Sequence, residues 1–182
     1  MSEMEGLRVI QLLADVTLTA FVSAAAMWDV ARARIPNRLS VAGTVAALLL
    51  RAPLGIESLT RGLAGLGLAL ALSLVPYALR AIGGGDVKLL AGIGAFLGVS
   101  AVPRALAVIA ILGAVFALAT AVRRGVLPLL LFNTLNLMKS WRSVGRSGRI
   151  PTSELPGTLT VPYGIPIAVG TLISWFGGGV RL

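Results

Sequence analysis

Apolar residues in this chain run in blocks of roughly membrane-crossing length, and nothing else in the sequence restricts its fold as strongly. The first block covers residues 7–28, LRVIQLLADVTLTAFVSAAAMW. Others cover 62–79, bounded by Arg61 and Arg80, and 105–122 without interruption. Shorter ones lie at 39–50, 89–102 and 161–177. In hydrocarbon the backbone must satisfy its own hydrogen bonds, so each crossing is a helix of about 20 residues. With 57% of its 182 residues hydrophobic and 13% charged, the chain has too little polar surface for a soluble domain of this size. The expected fold is an all-α membrane protein, a polytopic bundle of about six transmembrane helices forming a single domain over residues 1–182. The apolar stretch 126–138, VLPLLLFNTLNLM, is shorter still and is expected as an additional interfacial or re-entrant helix.

The first block resembles a signal peptide in its VSAAA segment, but Glu3 and Glu5 precede it where a leader carries positive charge. It therefore reads as a retained span. Six spans with the N-terminus outside place 29–38, 80–88 and 123–160 on the inside, and these segments hold most of the 16 Lys and Arg residues. Only Arg8, Arg51, Arg61, Arg104 and Arg181 fall outside. That bias predicts a multi-pass protein of the plasma (inner) membrane with both termini outside. Segment 139–160 is polar, with Gly, Pro and Ser, and reads as a cytoplasmic loop. The net charge of +9 fits contact with anionic lipid; nucleic acid is not expected, since no basic segment is interleaved with stacking aromatics. Trp28 and Trp175 sit near opposite ends of their spans, where amphipathic rings favour the interface. Gly62, Gly65 and Gly67 line the third span, and Gly94 and Gly98 have GxxxG spacing, both consistent with close helix packing.

The chain has no Cys and no His. Disulfides, Cys/His metal sites and imidazole catalysis are thereby excluded, and no metal or cofactor is expected. Acid–base chemistry falls to Asp, Glu, Lys or Tyr. Of the 7 acidic residues, Glu3, Glu5, Glu57 and Glu154 lie in the tail or in loops and read as solvated surface charge. Asp15 lies mid-span, where an ionisable group is costly; it is expected to bond Thr17, Thr19 or another helix. Asp29 ends the first span and Asp86 precedes the fourth, so loop charge places both at the inside face. Two carboxylates brought together do not both ionise cheaply; one keeps a proton while the other stays anionic, and such a pair can activate a water and protonate a leaving amine. Asp86 sits in Gly83-Gly84-Gly85-Asp86-Val87-Lys88, whose glycines free the backbone and leave room for a substrate chain. A phosphate loop is the rival reading, but GxxxxGK[ST] is absent. Lys88 either pairs with Asp86 or marks the interface.

These segments resemble a known family. Asp29-Val-Ala-Arg-Ala-Arg-Ile35-Pro36-Asn37-Arg-Leu39 is similar to the first catalytic segment of the type IV prepilin peptidases. Gly83-Gly84-Gly85-Asp86-Val87-Lys88 resembles their second, the GxGD motif shared with presenilin-like intramembrane proteases. Val161-Pro162-Tyr163-Gly164 resembles the segment opening their last span. The resemblance implies an aspartic endopeptidase that removes a short basic leader from prepilin-like precursors at the cytoplasmic membrane boundary. It implies Asp29 and Asp86 as the catalytic pair. Gly83 and Gly85 would shape the loop, Pro36 and Asn37 would position the Asp29 segment, Lys88 would support Asp86, and Pro162 and Gly164 would shape the site from the last span. The larger members carry a paired-cysteine segment and also N-methylate the product. This chain resembles the short form, associated with tight-adherence (Flp-type) pili or preflagellin-like precursors, and methyltransferase activity is not expected. Two other readings compete. In one, a small proton- or cation-coupled transporter or channel component, Asp15, Asp29 and Asp86 form an ion path and the short fourth span is a broken helix. The absence of an internal repeat and the clustering of two acids at one face count against it. The other is an assembly subunit without chemistry, in which both Asp residues would tolerate Asn.

Overall fold

The computed structural model describes residues 3–79, 81–123, 125, 163–179 and 182. In chain order these form α1 (Glu3–Arg32), α2 (Asn37–Arg51), a 3-10 turn (Ala52–Leu54), α3 (Ile56–Ala78), α4 (Gly84–Leu97), α5 (Val102–Arg123) and α6 (Gly164–Gly177). The described residues are all-α, as expected. The expected interfacial helix at 126–138, the loop at 139–160 and Pro162 lie outside them. The chain divides into two compact units, Met1–Gly113 with Pro162–Leu182, and Ala114–Val161. The first contains α1 to α4, the start of α5, and α6; of the second, the end of α5 is described, where Thr120 Oγ1 donates to the Phe116 carbonyl at 2.8 Å.

Three helices, α1, α3 and α5, are long and apolar enough to cross a membrane. The expected spans at 39–50, 89–102 and 161–177 correspond to shorter helices: α2 has 15 residues, and α4 and α6 have 14 each. At 1.5 Å per residue these reach about 21–23 Å, short of a hydrocarbon layer of about 30 Å. Six α-helices are thus present among the described residues, three of them of membrane-crossing length.

The helix ends follow from local chemistry. α1 stops where Ala33 turns left-handed, at φ 50, its N–H donating to the Asp29 carbonyl at 2.7 Å. Pro36 then disfavours helix at Ile35 and itself caps α2 with φ −65. Gly55, at φ 95, closes the 3-10 turn before α3, and Gly98, at φ 73, ends α4. Within the bundle, small residues face inward. Ser40, Gly43 and Ala47 line the buried face of α2, and Ser58, Gly62, Gly65, Ala69 and Ser73 that of α3. Leu49, Leu63, Leu74 and Val75 point outward. Lipid rewards no inward burial of large apolar groups, so helix contact depends on close backbone approach. At the crossing of α3 and α4, a Cβ on Gly65 would overlap the Gly94 carbonyl oxygen, and a Cβ on Gly94 would overlap that of Gly65. Gly67, expected in the same role, has open space instead.

α4 is the enclosed helix, with nearly every residue from Asp86 to Leu97 buried among α1, α2, α3 and α6. Arg51 secures its C-terminal end. This guanidinium, 2% exposed, donates from Nε to the Ala95 carbonyl at 2.8 Å and from Nη2 to the Phe96 carbonyl at 2.7 Å. Nη1 reaches the Ser58 carbonyl and hydroxyl at 3.1 and 3.2 Å. Gly62 leaves the space that the Arg51 side chain occupies. Trp175 departs from its expected interfacial place: it is 2% exposed and meets Phe96 edge-on, with ring centroids 6.5 Å apart. Trp28 is 41% exposed, with the Arg32 guanidinium 5.0 Å above its ring.

Candidate active site

The end of α1, the turn into α2 and the start of α4 enclose one cavity of about 580 Å³. Asp29, Ile35, Pro36, Asn37, Gly83, Gly84, Gly85 and Asp86 line it, together with Trp28, Arg32, Ala33 and Arg34. Two segments far apart in the chain therefore converge, because α4 packs against α2 and α1. Asp29 and Asp86 are both buried, at 9% exposure.

The carboxylates are held differently. Asp29 Oδ2 accepts the N–H of Gly164, the first residue of α6, at 2.8 Å. That N–H has no partner within its own helix, and the helix N-terminus favours a negative charge. The fit is tight: a Cβ on Gly164 would lie 2.8 Å from Asp29 Cβ and 3.1 Å from Ala26 Cα. Asp86 lies in the first turn of α4, ahead of the apolar run, and its Oδ2 accepts the Gly83 N–H at 2.9 Å. Burial pushes the Asp86 carboxyl above the ordinary carboxylate range; the Gly83 hydrogen bond opposes this, and the nearby Asp29 charge adds to it. The Asp29 carboxylate thus sits near enough to bear on the protonation of Asp86.

Lys88 is not bonded to Asp86. Its Nζ donates to Asn37 Oδ1 at 2.9 Å, tying the start of α2 to the start of α4. Of the two parts expected of the glycines, an unusual backbone conformation is not one they adopt. None of Gly83, Gly84 and Gly85 has positive φ. A Cβ on Gly85 would meet Ile35 at 3.4 Å and one on Gly84 would meet Tyr77 at 3.6 Å, both ordinary contacts. Neither backbone strain nor internal packing requires glycine there, so the bare backbone faces open cavity. Sequence reasoning missed Trp28, Arg32 and Arg34 as cavity residues; their closeness to Asp29 in the chain was the available signal. Among the expected site residues, the structure brings Asp29, Pro36, Asn37, Gly83, Gly85 and Asp86 to the cavity; Lys88 bonds Asn37 and Gly164 bonds Asp29.

Comparison with known families matches residues 16–118 to the type IV leader peptidase family. The matched stretch contains both carboxylates and every described cavity residue. No curated protein and no solved structure matches the chain.

Proposed function

The chain belongs to the type IV leader peptidase family, and from that premise we propose that it is an aspartic endopeptidase using Asp29 and Asp86. Its substrates are prepilin-like precursors, cut after a short basic leader at the cytoplasmic membrane boundary. The observation that carries this reading is the convergence of two buried carboxylates, from segments distant in sequence, on one open cavity. Asp86, its protonated form favoured by burial, is the proton-bearing partner; Asp29, held by the N–H at the start of α6, is the partner that activates water. The raised proton affinity of Asp86 also suits it to protonate the leaving amine. The whole chain acts as one peptidase domain with six membrane passages, α2, α4 and α6 being the short ones. The cavity opens to the cytoplasm.

The deciding experiment is cleavage of a co-expressed pilin-type precursor in membranes by the unmodified chain, Asp29→Asn and Asp86→Asn at matched insertion. Cleavage that requires both carboxylates supports the reading. Cleavage by either variant removes that residue from the pair.

Two glycines offer contrasting tests. Gly85→Ala is expected to fold at least as stably as the unmodified chain, since its Cβ meets only ordinary contact and alanine favours helix over glycine by up to about 1 kcal/mol. Cleavage nonetheless falls, because the methyl group takes space meant for the substrate backbone. Gly164→Ala forces α6 away from Asp29 and breaks the Gly164 N–H bond; cleavage drops by roughly a hundredfold, the scale of an ångström-sized misplacement. Thermal unfolding in detergent beside the cleavage assay separates the two. Gly85→Ala with full activity would show that this backbone does not face substrate.

A further inference from the structure

Asp15 is an ionisable group within α1, far from the cavity and unused by the chemistry above. Its Oδ1 accepts from Trp175 Nε1 of α6 at 2.8 Å and from Gln11 Nε2 at 2.9 Å. Thr19 Oγ1 donates to the Asp15 backbone carbonyl and not to its carboxylate. The carboxylate therefore serves α6. That same helix reaches Asp29 at its other end, through Gly164 N–H. α1 and α6 thus run antiparallel, joined by polar bonds at two points: Asp29 with Gly164, and Asp15 with Trp175. Asp15 and Asp29 are separated by about four turns, or about 21 Å, and Gly164 and Trp175 by about 16 Å; the reach of the indole makes up the difference.

Between these points no further hydrogen bond joins α1 to α6 among the described residues, and in lipid interhelical hydrogen bonds and close packing, without a hydrophobic force, hold helices together. Gly164 sits on Asp29 with no spare space, so a shift of α6 along α1 by even one ångström breaks its bond to the carboxylate. The indole bond is specific in direction and partner, and Trp175 is held on its other side by Phe96 of α4. We propose that Asp15 is a positioning residue for the site: by accepting the Trp175 N–H it sets the register of α6 that delivers Gly164 N–H to Asp29. This rests on the reading of Asp29 as a working carboxylate.

The test uses the full chain in detergent micelles with a pilin-type precursor and three variants, Asp15→Leu, Asp15→Asn and Trp175→Phe. Two quantities are read: kcat and KM for leader removal, and the amide proton resonance of Gly164 in glycine-labelled protein. Asp15→Leu and Trp175→Phe are expected to lower kcat roughly ten- to hundredfold with KM unchanged, and to shift the Gly164 amide upfield as its bond to Asp29 loosens. Asp15→Asn keeps the Oδ1 acceptor and holds kcat within about twofold of the unmodified chain, with the resonance in place. If Asp15→Leu does not insert, Trp175→Phe carries the test, since it keeps a ring against Phe96 while losing the N–H. A Gly164 resonance unmoved in Trp175→Phe overturns the proposal whatever happens to cleavage. Loss of activity in Asp15→Asn equal to that in Asp15→Leu overturns it too, because the charge and not the acceptor would then matter. Full cleavage by Asp29→Asn, with the Gly164 resonance still moved by Trp175→Phe, would leave the register link standing and sink the reading of Asp29 instead.

Discussion

Replacing either Asp29 or Asp86 by Asn lowers precursor cleavage by roughly a thousandfold or more, the scale at which general acid–base groups act. An amide neither accepts the proton of the attacking water nor holds one for the leaving amine. Both substitutions preserve shape, and each leaves a carbonyl oxygen able to accept the existing backbone donor, Gly164 N–H at Asp29 and Gly83 N–H at Asp86. Inserted protein and melting temperature are therefore expected to stay close to those of the unmodified chain, which separates loss of chemistry from loss of fold. Asp→Glu is also poorly tolerated, because the extra methylene moves the carboxylate by ~1 Å and positioning matters on that scale. The pH profile of the unmodified enzyme carries a second signature. Burial raises the Asp86 pKa, so its protonated form persists to higher pH than an ordinary aspartate allows, and cleavage falls as pH rises through that raised value. A rate that climbs across the same range would assign the proton elsewhere.

Arg51→Met is expected to destabilise the protein strongly, although it lies outside the cavity. The substitution keeps much of the side-chain volume and removes every donor. The Ala95 and Phe96 carbonyls lie in the last turn of α4, where no intrahelical N–H is available, and Arg51 serves both. Orphaning two buried carbonyls at ~1–3 kcal/mol each costs about 2–6 kcal/mol. That is a large part of a typical net stability of about 5–15 kcal/mol. Arg51→Lys is intermediate, since one ammonium cannot span acceptors on α3 and on α4 as the planar guanidinium does. Thermal unfolding in detergent measures both. A melting temperature unchanged in Arg51→Met would mean that water already satisfies the end of α4. Cleavage is lost with stability, because the helix that Arg51 secures at one end carries Asp86 at the other.

Much of this architecture is legible in the chain itself, for local reasons. Long apolar blocks predict helices suited to lipid, and α1, α3 and α5 match them. Pro36 and Gly55 bound helices through their own backbone preferences, as does Gly98, which in the sequence reads as a packing residue within the 89–102 block. Asp29 and Asp86 stand out because acidic residues are few, and loop charge alone predicts both at one face. The count of membrane-length helices was not legible: a short apolar block reads the same whether lipid or protein surrounds it, and α2, α4 and α6 are short.

What only the tertiary structure decided is the pairing of residues distant in sequence. Arg51 read as a loop cation because charge usually sits in water; it is buried because α3 and α4 bring four acceptors to it. Trp175 read as an interfacial ring, yet it lies inside because Asp15 offers its N–H a partner. Lys88 had two candidate roles, and packing of α2 on α4 placed Asn37 within its reach. The Gly164 contact with Asp29 has no local signal at all, since a glycine at a helix start looks the same whatever lies opposite. Periodicity, composition and turn residues report what one segment prefers. Which segments then meet, and which polar groups they satisfy in each other, is set by helix packing, where close backbone approach at small residues selects the partners.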